Sequence, residues 1–188
     1  MSNNALNVSA GKPMLTGAIW TAPLGTALPT STTEALDAAF KCLGYCSDDG
    51  LTNSTNLESE TIKAWGGDTV LTIQTSKDDT FGFTLIEVLN VDVLKFVYGS
   101  ANVSGSLETG ITVQANNGDV EERYLVIDMI MRDNTAKRIV IPTAKISEVG
   151  DIVYSDSEAV GYETTLNTSP DEYGNTHYEY LLKSGISA

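Results

Sequence analysis

The sequence contains little of the chemistry from which binding and catalytic sites are usually built. Among its 188 residues are 11 lysines and arginines, two cysteines and a single histidine. Tight binding of nucleic acid phosphates needs clustered lysine and arginine, and the sequence contains no such cluster. A zinc site normally needs four ligands, which two cysteines and one distant histidine do not supply. The sequence therefore argues against a nucleic-acid-binding groove and predicts no metal or other cofactor.

Long hydrophobic runs are absent as well. The stretch from Pro13 to Thr33 is uncharged, but three prolines and several threonines interrupt it, so it does not predict a transmembrane helix. The opening segment MSNNALNVSAGK lacks the basic start and the apolar centre of a secretory signal. We therefore expect no membrane association.

Negative charge, in contrast, is abundant. The chain has 25 aspartates and glutamates, which give a formal net charge of −14. Such a surface repels nucleic acid phosphates and keeps subunits apart in solution. The charge fits two hypotheses: it serves solubility alone, or it forms a surface past which DNA moves without binding. Charge alone does not decide between them.

The pattern of apolar residues predicts a mainly β (α+β) fold. Frequent Thr, Ser, Val, Gly and Asn favour strands and turns over helices. We predict an antiparallel β-sandwich or partial barrel with one packed α-helix. Outside the segment treated next, the predicted strands are Gly17–Leu24, Leu43–Cys46, Gly110–Gln114, Val120–Met131, Arg138–Pro142, Gly150–Tyr154, Ala159–Thr168 and Thr176–Leu182.

The clearest pattern lies between Ala64 and Gly99. Apolar residues alternate up to Leu85, which predicts two strands joined by a turn at Ser76–Asp79. The spacing then becomes helical, with Asn90 as the N-cap and Gly99 as the C-terminal stop. A shorter helix is predicted to begin at Thr32 or Thr33 and to include Phe40.

The chain divides into a short arm and one domain. Residues 1–16 are small and polar, and we expect a flexible N-terminal arm that orders against a partner. Residues 17–188 form a single domain with a long polar loop at 47–63, since that segment has few apolar residues.

Four residues are candidates for chemistry. His177 lies in an alternating strand, and no strained turn of the form G-x-S-x-G supplies a nucleophile for it, so we interpret it as a structural residue. Asp128 interrupts an apolar run, and we expect it to face water or to pair with Arg132 or Arg138. Cys42 and Cys46 are expected to be reduced thiols. The sequence predicts no active site.

Three long segments together resemble one family, the major tail (tail tube) proteins of siphophages, particularly those of phages that infect Gram-positive hosts. The segments are GAIWTAPLGTALPTSTTEALDAAFKCLGYCSDDG, AWGGDTVLTIQTSKDDTFGFTLIEVLNVDVLKFVYG and RIVIPTAKISEVGDIVYSDSEAVGYETTL. They occur in the family's order and span nearly the whole chain. The family is structural, so the resemblance carries over no catalytic residue.

The resemblance implies a self-assembling protein of the virion. Subunits of such proteins close into hexameric rings through sheet edges, and an inner β-barrel lines a channel. The rings stack into a non-contractile tube through which the genome leaves without specific binding. A tape measure protein and a tail terminator are the implied partners. The implied location is the phage tail, after assembly in the host cytoplasm.

The resemblance also gives two groups of residues a role. Polar residues of alternating strands become candidates for the channel wall: Thr72, Gln74, Glu163, Thr165, Asn167 and Glu179. Acidic residues of the 47–63 segment become candidates for contacts between stacked rings: Asp48, Asp49, Glu58 and Glu60.

Two other classes of protein remain open. One is another tail component on the same fold, such as a terminator or completion protein, which need not polymerise. The other is an acidic β-sandwich module that binds glycans, for which Tyr173, Tyr178 and Tyr180 would be the aromatic platform. Tube formation by the purified protein would favour the tail tube over both.

Overall fold

A computed structural model of the chain describes residues 3–183, and antiparallel strands dominate it. Strand makes up 49% of the chain and helix 9%, which confirms the predicted mainly β fold with one packed helix. The single α-helix among the described residues is α1 (Val91–Tyr98). The strands are β1 (Lys12–Pro13), β2 (Ile19–Pro23), β3 (Lys41–Cys42), β4 (Cys46–Lys63), β5 (Thr69–Leu85), β6 (Val103–Ser106), β7 (Gly110–Val113), β8 (Arg123–Ile130), β9 (Thr135–Val149), β10 (Tyr162–Thr168) and β11 (Tyr178–Lys183).

Nine of these strands form one antiparallel sheet. Seven follow the order β3-β2-β8-β9-β10-β5-β4, while β1 pairs with β8 and β11 pairs with β9. Strand β9 is long enough to have two neighbours on the same side: its first half pairs with β11 and its second half with β10. Strands β6 and β7 form a separate hairpin. The sheet therefore divides at β9 into two branches.

The main core lies on one face of this sheet. Ile19 of β2 and Phe83 of β5 come from opposite ends of the strand order but belong to one buried cluster. The sheet therefore curls around a common core, as a sandwich or partial barrel requires. Helix α1 covers this face and contributes its buried stripe, Val93, Leu94, Phe96 and Val97.

The predicted helix at Asn90–Gly99 is confirmed, including its caps. The Asn90 side chain accepts a hydrogen bond of 3.0 Å from the Asp92 backbone N–H. Gly99 has a φ of 92°, which glycine adopts without steric cost, and its N–H bonds to the Lys95 carbonyl. Asp92 also lies in the first turn, where a negative charge interacts favourably with the helix dipole.

A second, smaller core lies on the other face of the sheet. Ala22, Val126 and Val140 are buried there together with Phe40, which lies in the connection between β2 and β3. The predicted helix up to Phe40 is wrong, because this segment forms bends and turns instead. Side chains take over the bonds that a helix would make: the Glu34 carboxylate accepts from the Thr30 N–H at 2.7 Å.

A buried ion pair fixes that segment against the sheet. Arg138 and Asp128 face each other on β9 and β8, with Nε–Oδ1 and Nη2–Oδ2 distances of 2.7 and 2.9 Å. The remaining guanidinium nitrogen donates to the carbonyls of Ser31 and Glu34. Asp128 therefore pairs with Arg138, one of its two predicted partners, and Arg138 occupies backbone acceptors that a helix would need.

The region before α1 differs most from the sequence prediction. The predicted loop at 47–63 is wrong, because these residues belong to strand β4. The predicted turn at Ser76–Asp79 is also wrong, because β5 runs through it without interruption. The chain reverses instead between Lys63 and Thr69. The first error arises because β4 faces water on both sides from Thr52 onward, so no apolar alternation marks it as a strand. The second arises because Ser76–Asp79 consists of residues that are typical of turns.

Smaller differences concern other strands. The predicted strand Gly150–Tyr154 is wrong, since these residues have no regular structure. The strand predicted at Leu43–Cys46 is displaced to Lys41–Cys42. In the segment 1–16, Lys12–Pro13 pairs with β8 and the Arg132 N–H donates to the Ser9 hydroxyl. Whether that segment is flexible before assembly stays a prediction.

The Asp128–Arg138 pair yields a stability prediction. We expect Asp128→Ala to lower the free energy of unfolding by about 3–5 kcal/mol, because it leaves the buried guanidinium unpaired. Replacing both partners by methionine should cost less, since no buried charge then remains and only the Ser31 and Glu34 carbonyls lose a donor. Chemical denaturation of the unassembled protein measures both. Asp156→Ala in an exposed loop is the control, and a loss below about 1 kcal/mol for Asp128→Ala would contradict the prediction.

Candidate functional site

Strands β4 and β5 form a hairpin that projects beyond the sheet. Strand β10 pairs with β5 only from Thr80 to Leu85, so from Thr69 to Asp79 β5 has β4 as its single neighbour. At about 3.3 Å per residue, this free part extends about 35 Å. Every residue from Thr52 to Thr75 is exposed. We call Thr55–Asp79 the arm.

The arm has one polar side and one largely apolar side. Residues directly opposite in an antiparallel pair share a face. Thr61 lies opposite Thr72 and Ser59 opposite Gln74, so one side is polar in the middle of the arm, with exposed Leu57 and Val70 toward its two ends. On the other side Ile62 lies opposite Leu71 and Glu60 opposite Ile73. We call Ile62, Leu71 and Ile73 the apolar strip. Their side chains are 47%, 51% and 46% exposed, so the strip has no partner within residues 3–183.

A bulge lies within the arm, near its base. Glu58 lies opposite Ser76 and Ser59 lies opposite Gln74, so Thr75 is an extra residue in β5. A bulge of this kind increases twist and shifts the alternation of side chains by one position. The apolar side of the arm is therefore not a simple continuation of either face of the sheet.

The arm ends in a turn of small residues around one exposed tryptophan. The Ala64 N–H bonds to the Asp68 carbonyl at 2.8 Å, and the Gly67 N–H bonds back to Ala64. Gly66 and Gly67 have φ values of 118° and 100°, a region that glycine adopts readily. Trp65 is fully exposed at this tip. A large apolar side chain at the end of a projecting hairpin is suited to contact another molecule.

A buried carboxylate holds the base of the arm. Asp79 is 1% exposed and accepts hydrogen bonds from the hydroxyls of Thr55, at 2.5 Å, and Thr176. Burial by itself would raise the pKa of the Asp79 carboxyl, but these two hydroxyls, with Lys77 and His177, hold the pKa below its usual value. The backbone carbonyl of Asp79 also accepts from the Thr168 hydroxyl. Asp79 thus joins the arm to the segment before β11 and to the end of β10.

His177 belongs to this same structural cluster. Its Nδ1 lies 3.7 Å from Asp79 Oδ2, and its ring packs edge-on against Phe81 with centroids 5.4 Å apart. These contacts agree with the interpretation of His177 as a structural residue. The sequence does not predict that Asp79 is buried, because the Asp78-Asp79 pair is typical of a turn. The one signal for burial is that Asp79 alternates with the apolar residues Phe81 and Phe83.

Three of the six channel candidates lie together on the sheet. Glu163, Thr165 and Asn167 alternate along β10 with the buried Tyr162, Thr164 and Leu166, so they lie on the face opposite the main core. Their cross-strand partners on β5 are Thr84, Gly82 and Thr80. This part of the sheet is therefore buried beneath α1 on one face and polar on the other.

The other three channel candidates lie elsewhere. Thr72 and Gln74 are on the polar side of the arm. Glu179 is on β11 opposite Ile139, a residue of the main core, and its carboxylate binds Lys137 Nζ at 2.8 Å. The structure thus brings the six predicted residues to three separate places, and their role in a channel stays a prediction.

The predicted ring-stacking residues form two pairs. Asp48 and Asp49 lie in an irregular part of β4, between Cys46 and Leu51, where the register to β5 shifts. Glu58 and Glu60 lie on the arm and are exposed, as Asp48 and Asp49 are. All four project from β4, which is an edge strand of the sheet.

The described residues offer little chemistry. In residues 3–183, no group of three or more His, Cys, Asp and Glu side chains is placed to hold a metal ion. Cys42 and Cys46 are free thiols, and burial raises the pKa of Cys46 to about 11, which keeps that thiol protonated and unreactive. Within the same range, no helix is long and apolar enough to cross a membrane.

Comparison with known proteins identifies the class. The sequence matches the family described as phage tail tube protein over residues 2–184. The chain therefore belongs to the phage tail tube protein family, and it is a structural protein of a phage tail. No curated protein matches it.

Among solved structures, the chain is similar to the tube terminating cap in a cryo-EM structure of the anti-feeding prophage cap. The identity is 9%, the similarity covers 97% of this chain and 100% of that one, and the TM-score is 0.45. At this distance the similarity says nothing further about function.

The Asp79 cluster yields a prediction with a defined pH dependence. We expect Asp79→Asn to destabilise the protein by about 1–3 kcal/mol at pH 7, because the amide has only one acceptor oxygen, so one of the two buried hydroxyls loses its acceptor and meets an NH2 donor instead. A carboxyl whose pKa is lowered on folding stabilises the folded state above its unfolded pKa, and this contribution is lost as the pH falls through the folded pKa. The difference between wild type and variant should therefore shrink below about pH 4.

Urea denaturation at pH 7 and pH 3 measures this difference. Asp78→Asn, at the exposed neighbouring position, is the matched control and should change little at either pH. A difference between wild type and Asp79→Asn that stays constant from pH 7 to pH 3 would show that the Asp79 charge has no such role.

Proposed function

We propose that this chain forms the tail tube itself: subunits close into hexameric rings, and the rings stack into a non-contractile tube through which DNA is ejected. The observation that carries the proposal is the arm, an exposed amphipathic hairpin in a chain of the tail tube family. An isolated hairpin with an exposed apolar strip is poorly suited to a monomer, because it exposes apolar area and unpaired backbone groups to water.

The free edges of the sheet support assembly. Among residues 3–183, strand β4 pairs only with β5, and β11 pairs only with β9. Edges of this length promote pairing with other chains unless they are covered. Closing sheets into a barrel shared among subunits removes such edges, which is the structural logic of the proposed ring.

Contacts between stacked rings are assigned to the arm and to residues 1–16. The arm is long enough, at about 35 Å, to reach past its own subunit. Asp48, Asp49, Glu58 and Glu60 would lie at or near this contact, and the apolar strip would supply most of its free energy.

The channel wall is assigned to the polar face of β10 and its neighbours. Glu163, Thr165 and Asn167 would face the lumen, with Thr72 and Gln74 on the polar side of the arm and Glu179 at the margin. A wall with negative charge and few cations does not release counterions from DNA, so DNA passes without being held. Specific DNA binding is not part of this function.

The remaining assignments follow from the same proposal. The protein acts in the virion, after assembly in the host cytoplasm, together with a tape measure protein and a tail terminator. It has a structural role and no enzymatic one. A terminator or completion protein on the same fold is the alternative, and it differs in not polymerising by itself.

The structure offers less support for a glycan-binding platform. The rings of Tyr178 and Tyr180 are parallel, with centroids 6.5 Å apart, but both pack against the smaller core. The Tyr178 hydroxyl already donates to the Asp171 carboxylate. Only Tyr173 is largely exposed.

Polymerisation tests the proposal directly. We expect concentrated wild-type protein to form rings or tubes visible by negative-stain microscopy. Ile62→Ser combined with Ile73→Ser should leave the monomer as stable as wild type, because both side chains are already exposed. It should raise the concentration needed for assembly by about 100-fold or more, since burial of each isoleucine contributes about 1.5–3 kcal/mol.

The control for this variant is Leu107→Ser, which removes an exposed leucine from the β6–β7 turn. It should assemble as wild type does. Wild-type protein that remains monomeric at every concentration would exclude the tail tube in favour of the terminator. Normal assembly of the double variant would exclude the apolar strip as a contact.

The channel assignment makes a separate prediction. Tubes of Glu163→Lys combined with Asn167→Lys should bind short double-stranded DNA, with an affinity that falls steeply with salt. Wild-type tubes should bind none. Leu107→Lys combined with Glu108→Lys introduces the same charge on the helix-covered side, which would face outward. DNA bound in the lumen should be protected from nuclease, and DNA bound outside should be digested, so equal protection by both sets of tubes would contradict the placement of Glu163 and Asn167 in the lumen.

A further inference from the structure

The last strand ends beside a cluster of cations that is unusual for this acidic chain. Lys183 Nζ lies 3.6 Å from Asp133 Oδ2, and Arg132 Nε lies 3.9 Å from Asp133 Oδ1. Lys137 binds Glu179 on the same pair of strands. We call Arg132, Asp133, Lys137, Glu179 and Lys183 the basic corner. It has three cations and two anions, whereas the whole chain has a net charge of −14.

The strand beside the basic corner is exposed and apolar. Leu181 and Leu182 of β11 are 58% and 47% exposed. The only partner of β11 is β9, so its outer edge is unpaired within residues 3–183. An exposed edge strand with apolar side chains favours pairing or packing with another chain.

The arm has the complementary character. From Thr55 to Asp79 it contains five acidic residues and two lysines. Two of the acids, Glu58 and Glu60, lie on β4 close to the apolar strip. The arm therefore offers negative charge beside apolar side chains, and the basic corner offers positive charge beside apolar side chains.

The two surfaces do not satisfy each other within one chain. The segment that leads into β11 contacts the base of the arm through Thr176 and Asp79, but β11 itself pairs with β9 and the arm pairs only within itself. Both surfaces are exposed in the isolated subunit, and they are different patches. A contact between different patches is heterologous, and such contacts propagate into rings or open arrays.

We infer that the arm of one subunit docks on the basic corner and the outer edge of β11 of a second copy. This inference rests on the proposed self-assembly and names its contact surfaces. Glu58 and Glu60 would approach Arg132 and Lys183, while Ile62 and Ile73 would cover Leu181, which lies on the same face of β11 as Lys183. Complementary charge at this one contact would offset the repulsion between subunits that each have a net charge of −14.

A charge-exchange experiment tests the pairing. One variant reverses the arm charges (Glu58→Lys with Glu60→Lys), and the other reverses the corner (Arg132→Glu with Lys183→Glu). Each variant alone places like charges at every contact and should not form tubes at concentrations where wild type does. An equimolar mixture should restore assembly, because the two variants can then alternate from one ring to the next, and each arm meets a corner of opposite charge.

The matched control replaces the arm variant by Asp156→Lys with Glu158→Lys, which makes the same change of net charge in an exposed loop. This protein should assemble alone, and adding it to the corner variant should not bring the corner variant into tubes. Light scattering follows assembly, and thermal melting checks that each monomer folds. If a reversed variant misfolds, Glu58→Gln with Glu60→Gln serves instead and should weaken the salt dependence of assembly.

The outcomes separate the inference from the proposed function. If wild-type protein forms tubes but the reversed variants also assemble alone, or if mixing them restores nothing, the pairing is wrong and the tail tube stands. If wild-type protein never assembles, the proposed function fails and the pairing fails with it.

Discussion

The continuity of strand β5 is the constraint on which the rest of this structure depends. Its second half is buried in the core through Phe81, Phe83 and Leu85, and its first half is the exposed arm. Because one hydrogen-bonded strand runs through both, the packed domain fixes the direction of the arm. Asp79 lies at the junction, where a buried carboxylate without hydroxyl donors would be costly. A mobile loop in this position would lose far more conformational entropy on docking.

The charge of the chain opposes the assembly that we propose for it. A net charge of −14 keeps subunits apart and keeps DNA off the surface, but it also resists the contacts that a tube needs. In the proposed assembly, the arm would supply apolar contacts, and the basic corner would supply local charges of opposite sign. Both surfaces are small relative to the subunit, so the protein remains acidic overall.

Part of the fold was predictable from the sequence because local signals were strong. The helix at Asn90–Gly99 has a capping asparagine, a terminal glycine and an apolar stripe, and all three act within the segment itself. The strands at Gly17–Leu24 and Thr176–Leu182 were also placed correctly to within about two residues. The predicted helix ending at Phe40 failed because Arg138, distant in sequence, binds the backbone carbonyls of Ser31 and Glu34. Helix propensity depends on the residues of the segment itself and takes no account of a hydrogen-bond donor that is distant in sequence.

The sequence by itself determined that the chain is acidic, mainly β and built around one capped helix, since composition, alternation and caps are properties of short segments. Only the tertiary structure decided that residues 47–63 are a strand and that Ser76–Asp79 continues one. Alternation reveals a strand only when one face is buried, and both faces of the arm meet water. The two strands of the arm are held by their mutual hydrogen bonds and by Asp79 at the base, and these depend on pairing partners rather than on either segment's composition.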